Sequence, residues 1–391
     1  MKRNVEKAGK QGICRFVCFA VAVFALLTVA QLPATAETNA MGMPEGYTEL
    51  PSLLPEGAEE LLPDGIDSED PQEAGDALAR LTSPEELLRL VIRMTGIEIG
   101  GALRLLAKLC GLLMLAAVFS AIGKSIGSSA LAETARFCTT TVIFAAIIHT
   151  QSEHLQGVVA YFERLSSLMS AMIPMMGTVW AMGGNVSTAS AGTGTLYVFL
   201  SACEILCAKA VMPLCCFLTA LALCNALSPQ IGMRGLSGAV KKTYTFSMGM
   251  TMTVLLASLS TQTTLTAAAD SVTARAAKTV SGTMIPMVGG SVGETLRTVA
   301  AGVQYLKSVI GVGGIVFLLL LTLPTLAGLV LTRLAFLLSV GVAEMLGCDG
   351  EGRLLGELGT IWGCMIAAVA MSSVMFILAL TIFVRVTVAV M

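Results

Sequence analysis

Apolar positions along this chain fall into long unbroken runs, not into the alternation of a half-buried strand. The runs cover residues 103–123, 134–150, 166–182, 195–228, 243–261, 308–331, 332–346 and 360–384. A helix needs about 20 apolar residues to cross a bilayer. The pattern therefore predicts an all-α polytopic membrane protein with roughly 7–8 transmembrane helices. Run 195–228 is long enough for two short spans or for one kinked helix. Between the runs, TQSEHLQGVVAYFERLSS and STQTTLTAAADSVTARAAKT each carry a mixed polar face, which suits a helix lying at the membrane interface.

Two hexamers, MIPMMG (Met172 to Gly177) and MIPMVG (Met284 to Gly289), follow those polar-faced segments 112 residues apart. Pro213 follows Pro174 by 39 residues and Pro324 follows Pro286 by 38. Gln151 and Gln262 precede the hexamers at nearly matched distances. The matches predict an internal duplication, with units at 134–228 and 243–346 and a last span at 360–384. Proline removes a backbone donor and clashes with the preceding turn, and glycine lets the chain change direction. Pro174, Gly177, Gly183 and Gly184, and Pro286, Gly289, Gly290 and Ser291, are thus candidate hinge or pathway residues in broken or re-entrant elements. Broken backbone in a bilayer must be buried in protein or line water. The alternative is a packed proline kink. Leu319, in the middle of its apolar run, is expected to face lipid.

Composition sharpens the class. Mean hydropathy of +0.81, 13% charged residues and 39 glycines exclude an ordinary soluble domain. No basic, aromatic-interleaved patch exists to track a phosphate backbone, so nucleic acid is not an expected partner. Lys2, Arg3, Lys7, Lys10 and Arg15 precede FVCFAVAVFALLTVA and then Ala34 to Ala36, the pattern of a signal peptide over 1–36 or of an uncleaved anchor. Residues 37–98 form an acidic extracytoplasmic segment, with fifteen acidic residues against Arg80, Arg89 and Arg93. Up to about residue 82 it reads as a linker or marginal cap; Ser83, Pro84 and Glu86 then open an amphipathic helix. Residues 99–391 are the polytopic domain. Lys124 with Arg136, and Arg234 with Lys241 and Lys242, place two loops in the cytoplasm.

Candidate chemistry is sparse. The cysteines sit mostly in apolar runs without ligand-spaced histidines or carboxylates, so no metal or cofactor is expected. Gly289 to Gly293 fits G-x-S-x-G, but nothing around it reads as strand-turn-helix, and only His149 and His154 offer a base for Ser291. Gly123 to Ser125 lacks the upstream glycine of a P-loop. Glu204 and Lys209 lie in apolar sequence and are either functional intramembrane charges or a pair near a span end; Arg333 and Glu344 share that ambiguity. Gly352, Gly356, Gly359 and Gly363 make a smooth helical face, for an intrachain contact or an oligomer seam.

The stretch from Ala274 to Leu331, and above all IPMVGGSVGET (Ile285 to Thr295), resembles the stage III sporulation protein AE family. The resemblance implies a non-enzymatic integral component of the complex joining mother cell and forespore in an endospore-forming bacterium, located in the mother-cell membrane. Its implied partners are the other stage III sporulation proteins AA to AH, including an ATPase and ring-forming proteins, and stage II sporulation protein Q. No catalytic residue is carried over. Two other readings stand beside it: a stand-alone secondary transporter using Glu204, Lys209 or Asp270, and an intramembrane serine protease using Ser291.

Overall fold

The computed structural model describes residues 42–44, 46–54, 62–63, 65–81, 84–126, 129–227, 235–247, 249–254, 257–258, 260–261 and 289–385. Among them there is no strand. A short 3-10 turn (Tyr47–Leu53) is followed by α1 (Pro71–Leu81), α2 (Pro84–Ile126), α3 (Ser129–Met182) and α4 (Val186–Cys203). A π-turn (Glu204–Lys209) joins α4 to α5 (Ala210–Leu227), and α6 (Gly289–Met345) and α7 (Asp349–Arg385) complete the order. Residues 235–247 are also helical.

Among the described residues, four helical stretches are long and apolar enough to cross a membrane: Glu98–Ile122, Phe137–Met182, Thr298–Met345 and Asp349–Val384. The sequence had pointed to roughly 7–8. Part of the difference arises because neighbouring apolar runs fuse; run 195–228 is divided between α4, the π-turn and α5, and run 243–261 lies only partly within the described residues. Runs 134–150 and 166–182 lie in one helix, α3, of 54 residues. Gln151, Glu153, Gln156, Glu163 and Arg164 between them are good helix formers and no proline or left-handed glycine intervenes, so nothing there stops the backbone. Runs 308–331 and 332–346 likewise merge in α6, of 57 residues, with Pro324 inside. At 1.5 Å per residue these helices are about 80 and 85 Å long, more than twice the hydrocarbon thickness. The amphipathic helix opening at Pro84 runs without a break into the first apolar run.

The first hexamer is not a break either. Pro174 is exposed inside α3. The helix ends eight residues later, where Gly184 at φ 78° lets the Asn185 N–H reach the Trp180 carbonyl at 2.9 Å and the Gly184 N–H the Ala181 carbonyl at 3.0 Å. This is a Schellman stop, which needs a left-handed residue. Gly347 at φ 70° ends α6 the same way, with Cys348 N–H on the Ala343 carbonyl at 2.9 Å. The second hexamer, Pro286 included, lies outside the described residues up to Gly289, as do residues 262–288 of the second unit of the predicted duplication.

Helix α7 is the most buried of the four long apolar helices among the described residues. It packs antiparallel on α6 and parallel to α3, with α5 on a further side. The small-residue face joins α6 to α7 within the chain: a Cβ on Gly352 would lie 3.2 Å from Ala343 Cβ, one on Gly359 3.7 Å from Phe336 Cβ, and one on Gly363 3.2 Å from the Arg333 guanidinium. Gly356 faces Val340. Leu319 is 8% exposed and belongs to the core, not to the lipid face. Exposed apolar side chains form a belt on other surfaces, among them Met114, Phe119, Phe137, Val142, Leu334 and Leu338.

Part of the acidic N-terminal segment is folded onto this bundle. Asp70 caps α1 by accepting the Gln72 N–H at 3.0 Å, Pro71 takes the first helical position, and Glu73 is bound by the Ser68 hydroxyl at 2.7 Å. The buried face of α1, Ala74, Ala77 and Leu78, lies against α6. Gly75 permits that approach, since a Cβ there would run into the Tyr305 hydroxyl and stand 3.2 Å from Val309. Tyr47 is fully buried, edge-on to Phe317 at 6.4 Å, with its hydroxyl over Gly313. Burial, aided by Asp67, pushes its phenol above the ordinary value.

Candidate functional site

Polar groups buried between α3, α6 and α7 occur at four heights. In the middle layer Tyr161 stands 2.8 Å from Ser373 Oγ and 3.4 Å from Thr322 Oγ1, and those two are 3.1 Å apart. Thr322 donates to the Leu318 carbonyl at 2.7 Å, and Ser373 to the Val369 carbonyl at 2.7 Å. Their protons are therefore spent within their own helices. The Tyr161 hydroxyl supplies the cross-helix proton, to Ser373, and all three groups are satisfied. Such layers hold membrane helices together.

Below it, His154 Nε2 meets Thr332 Oγ1 at 3.3 Å and its ring stands edge-on to Trp362 at 4.7 Å. At the bottom Glu351, buried in the first turn of α7, accepts from Thr139 at 2.9 Å and Thr140 at 3.3 Å. A carboxylate there also complements the positive end of the helix. Lys241 pairs with Glu357 at 3.1 Å nearby. At the top Lys307 is 1% exposed, its ammonium 5.7 Å from the centre of the Phe383 ring. Thr322 and Thr332 are ten residues apart on α6, about 15 Å, with apolar packing between them. The layers are separate ties and do not form a continuous relay.

Sequence reasoning missed Lys307 because it adjoins run 308–331 and resembles a flank. The available signal is that it is the sole charge between Arg297 and Arg333. Tyr161 and Thr322 carry no motif at all.

Among the described residues the predicted hinge positions occupy separate places, and Pro286 lies outside those residues. Pro174 is exposed, while Gly177 takes Thr193 of α4 against it, since a Cβ there would stand 2.7 Å from Thr193 Cγ2. Gly183 and Gly184 form the stop of α3. Gly289, Gly290 and Ser291 open α6. Ser291 is 41 residues before Thr332 on the same helix, roughly 60 Å away. His154 sits at Thr332, so it is out of reach as a base for Ser291; His149 lies further still from the α6 start, one turn down α3. Glu204 and Lys209 pair at 3.1 Å, with side chains 42% and 69% exposed. Five residues along an α-helix point 140° apart; the π-turn brings them onto one side.

Comparison with known proteins places the whole bundle. The family model described as stage III sporulation protein AE matches residues 79–387. A relative named stage III sporulation protein AE, from Bacillus subtilis (strain 168), is 23% identical over 360 residues, covering 90% of this chain and 86% of the relative. No solved structure matches the chain.

Proposed function

Because the chain belongs to the stage III sporulation protein AE family, we propose that it is a membrane component of the channel or secretion-like complex between mother cell and forespore. It works there as a non-enzymatic subunit in the mother-cell membrane, with its N-terminal segment outside the cytoplasm. Its partners are the other stage III sporulation proteins AA to AH and stage II sporulation protein Q. The observation that carries this reading is the extent of the family match, which runs from the end of α1 through the last turn of α7. A role in sporulation follows from the family; the channel is the part proposed.

The internal chemistry favours a subunit over a stand-alone carrier. Coupled transport needs titratable groups that face a substrate site in the membrane. Among the described residues, Glu204 and Lys209 instead neutralise each other on the outer surface and the buried layers are ties; Asp270 lies outside the described residues. Affinity purification from sporulating cells tests the proposal. Recovery of the named partners with the tagged chain is expected; recovery of the chain alone, under conditions that keep other membrane complexes intact, favours the transporter.

A further inference from the structure

We propose that the outward face of α3 from Ser152 to Thr178 is the wall of an aqueous conduit that the chain closes together with other subunits. It deepens the channel reading and rests on it for those other subunits.

The face changes character along one helix. In the lower part of α3 the exposed side chains include the large apolar Phe137, Val142 and Ile148, with Thr134, Cys138, Thr141 and Ala145 among them. Above them the exposed positions become Ser152, Gln156, Glu163, Ser167, Ser170 and Thr178, recurring at helical spacing. Leu155, Phe162, Leu165 and Met169, on the other side of the same turns, are buried. No Leu, Ile, Val, Phe or Met is exposed between residues 152 and 181. From Ser152 to Thr178 the face is about 39 Å long, against about 30 Å of hydrocarbon.

Polar exposure alone would fit a bundle standing clear of the bilayer, but α4 argues otherwise. It lies antiparallel on α3, with Gly192 against Trp180 and Thr193 against Gly177. Val198 is therefore about level with Met172, and Ile205 with Leu165. Val198 is 67% exposed and Ile205 54%. At one height the molecule exposes Tyr197 and Val198, with Ser201, on α4 and Ile205 beside the Glu204–Lys209 pair on the π-turn, against hydroxyls and charge without a bulky apolar side chain on α3. Lipid on one side and water on the other satisfies both. Hydroxyls, an amide and charges of both signs at Glu163 and Arg164 offer hydrogen bonds without apolar grip, which suits small hydrated polar solutes.

The test uses the full chain in sporulating cells, with native cysteines replaced and single cysteines at Ser167, Ser170, Val142, Val198 and Ile205. A small membrane-impermeant thiol reagent should label positions 167 and 170 about tenfold faster than the other three. If 198 and 205 react as fast as 167 and 170, the whole upper bundle stands in water and the conduit is lost. Equal unreactivity at all five means that the α3 face is packed, which also overturns the proposal. A second measurement keeps the native cysteines: Ser167→Lys should accumulate in the membrane at the unsubstituted level, while Val198→Lys should not. Equal loss for both contradicts a water-facing wall. None of these outcomes depends on which proteins co-purify.

Discussion

Tyr161 supplies the cross-helix proton in the middle layer, and its partners Thr322 and Ser373 keep their own backbone acceptors when it is gone. Tyr161→Phe should therefore cost only about 0.5–1.5 kcal/mol, the range of a single hydrogen bond between membrane helices. Denaturant titration of the purified chain in detergent measures it; a loss several times larger would mean that the layer holds more than a tie. Ser291 predicts the opposite kind of silence. With both histidines far down α3, Ser291→Ala should leave spore counts at the unsubstituted level. A fall to the count of a deletion strain would argue for chemistry at that hydroxyl. Gly75 is the sensitive small residue, because α1 rests on Tyr305 and Val309 through it. Gly75→Val should lift α1 from α6 and speed protease cleavage of the 65–81 segment, while Gly100→Ala, which meets open space, should not.

At the scale of elements, a helix-stopping role belongs to Gly184, not to Pro174. Pro174→Ala restores a backbone donor on an exposed helical position, so thermal unfolding in detergent should show unchanged or higher stability. A clear fall would point to a required kink. The apolar runs made the helical class legible, and Ser83–Pro84 with Glu86 announced the start of α2. The lengths of the helices were not legible. Run boundaries mark where hydropathy falls, but a helix ends only where its backbone is stopped, and the polar stretch 151–164 holds no such stop. The buried layers were opaque for a related reason: Tyr161, Thr322 and Ser373 are ordinary residues whose partners come from 51 to 212 positions away. Leu319 shows the converse, since central apolar helices and lipid-facing ones have the same composition.

At the scale of the molecule, the folded segment around α1 and the ion pair Lys241–Glu357 lie at opposite ends of the bundle. With the basic loop at Arg234, Lys241 and Lys242 in the cytoplasm, reporters active only outside it should be silent at Gly238 and active near Asp70. The reverse pattern would invert the proposed placement. The burial of α7 has a further consequence, in time. Ribosomes make α3 first and α7 later, with 203 residues from Met182 to Arg385. At about 5–20 residues per second, some 10–40 s pass before Tyr161 can meet Ser373 or Trp180 can meet Phe383. Throughout that interval the nascent chain holds the walls of a bundle whose most buried helix has not been synthesised. Whatever escorts it through insertion has to shield those faces, and a chain interrupted before Asp349 presents them permanently to the membrane's proteases.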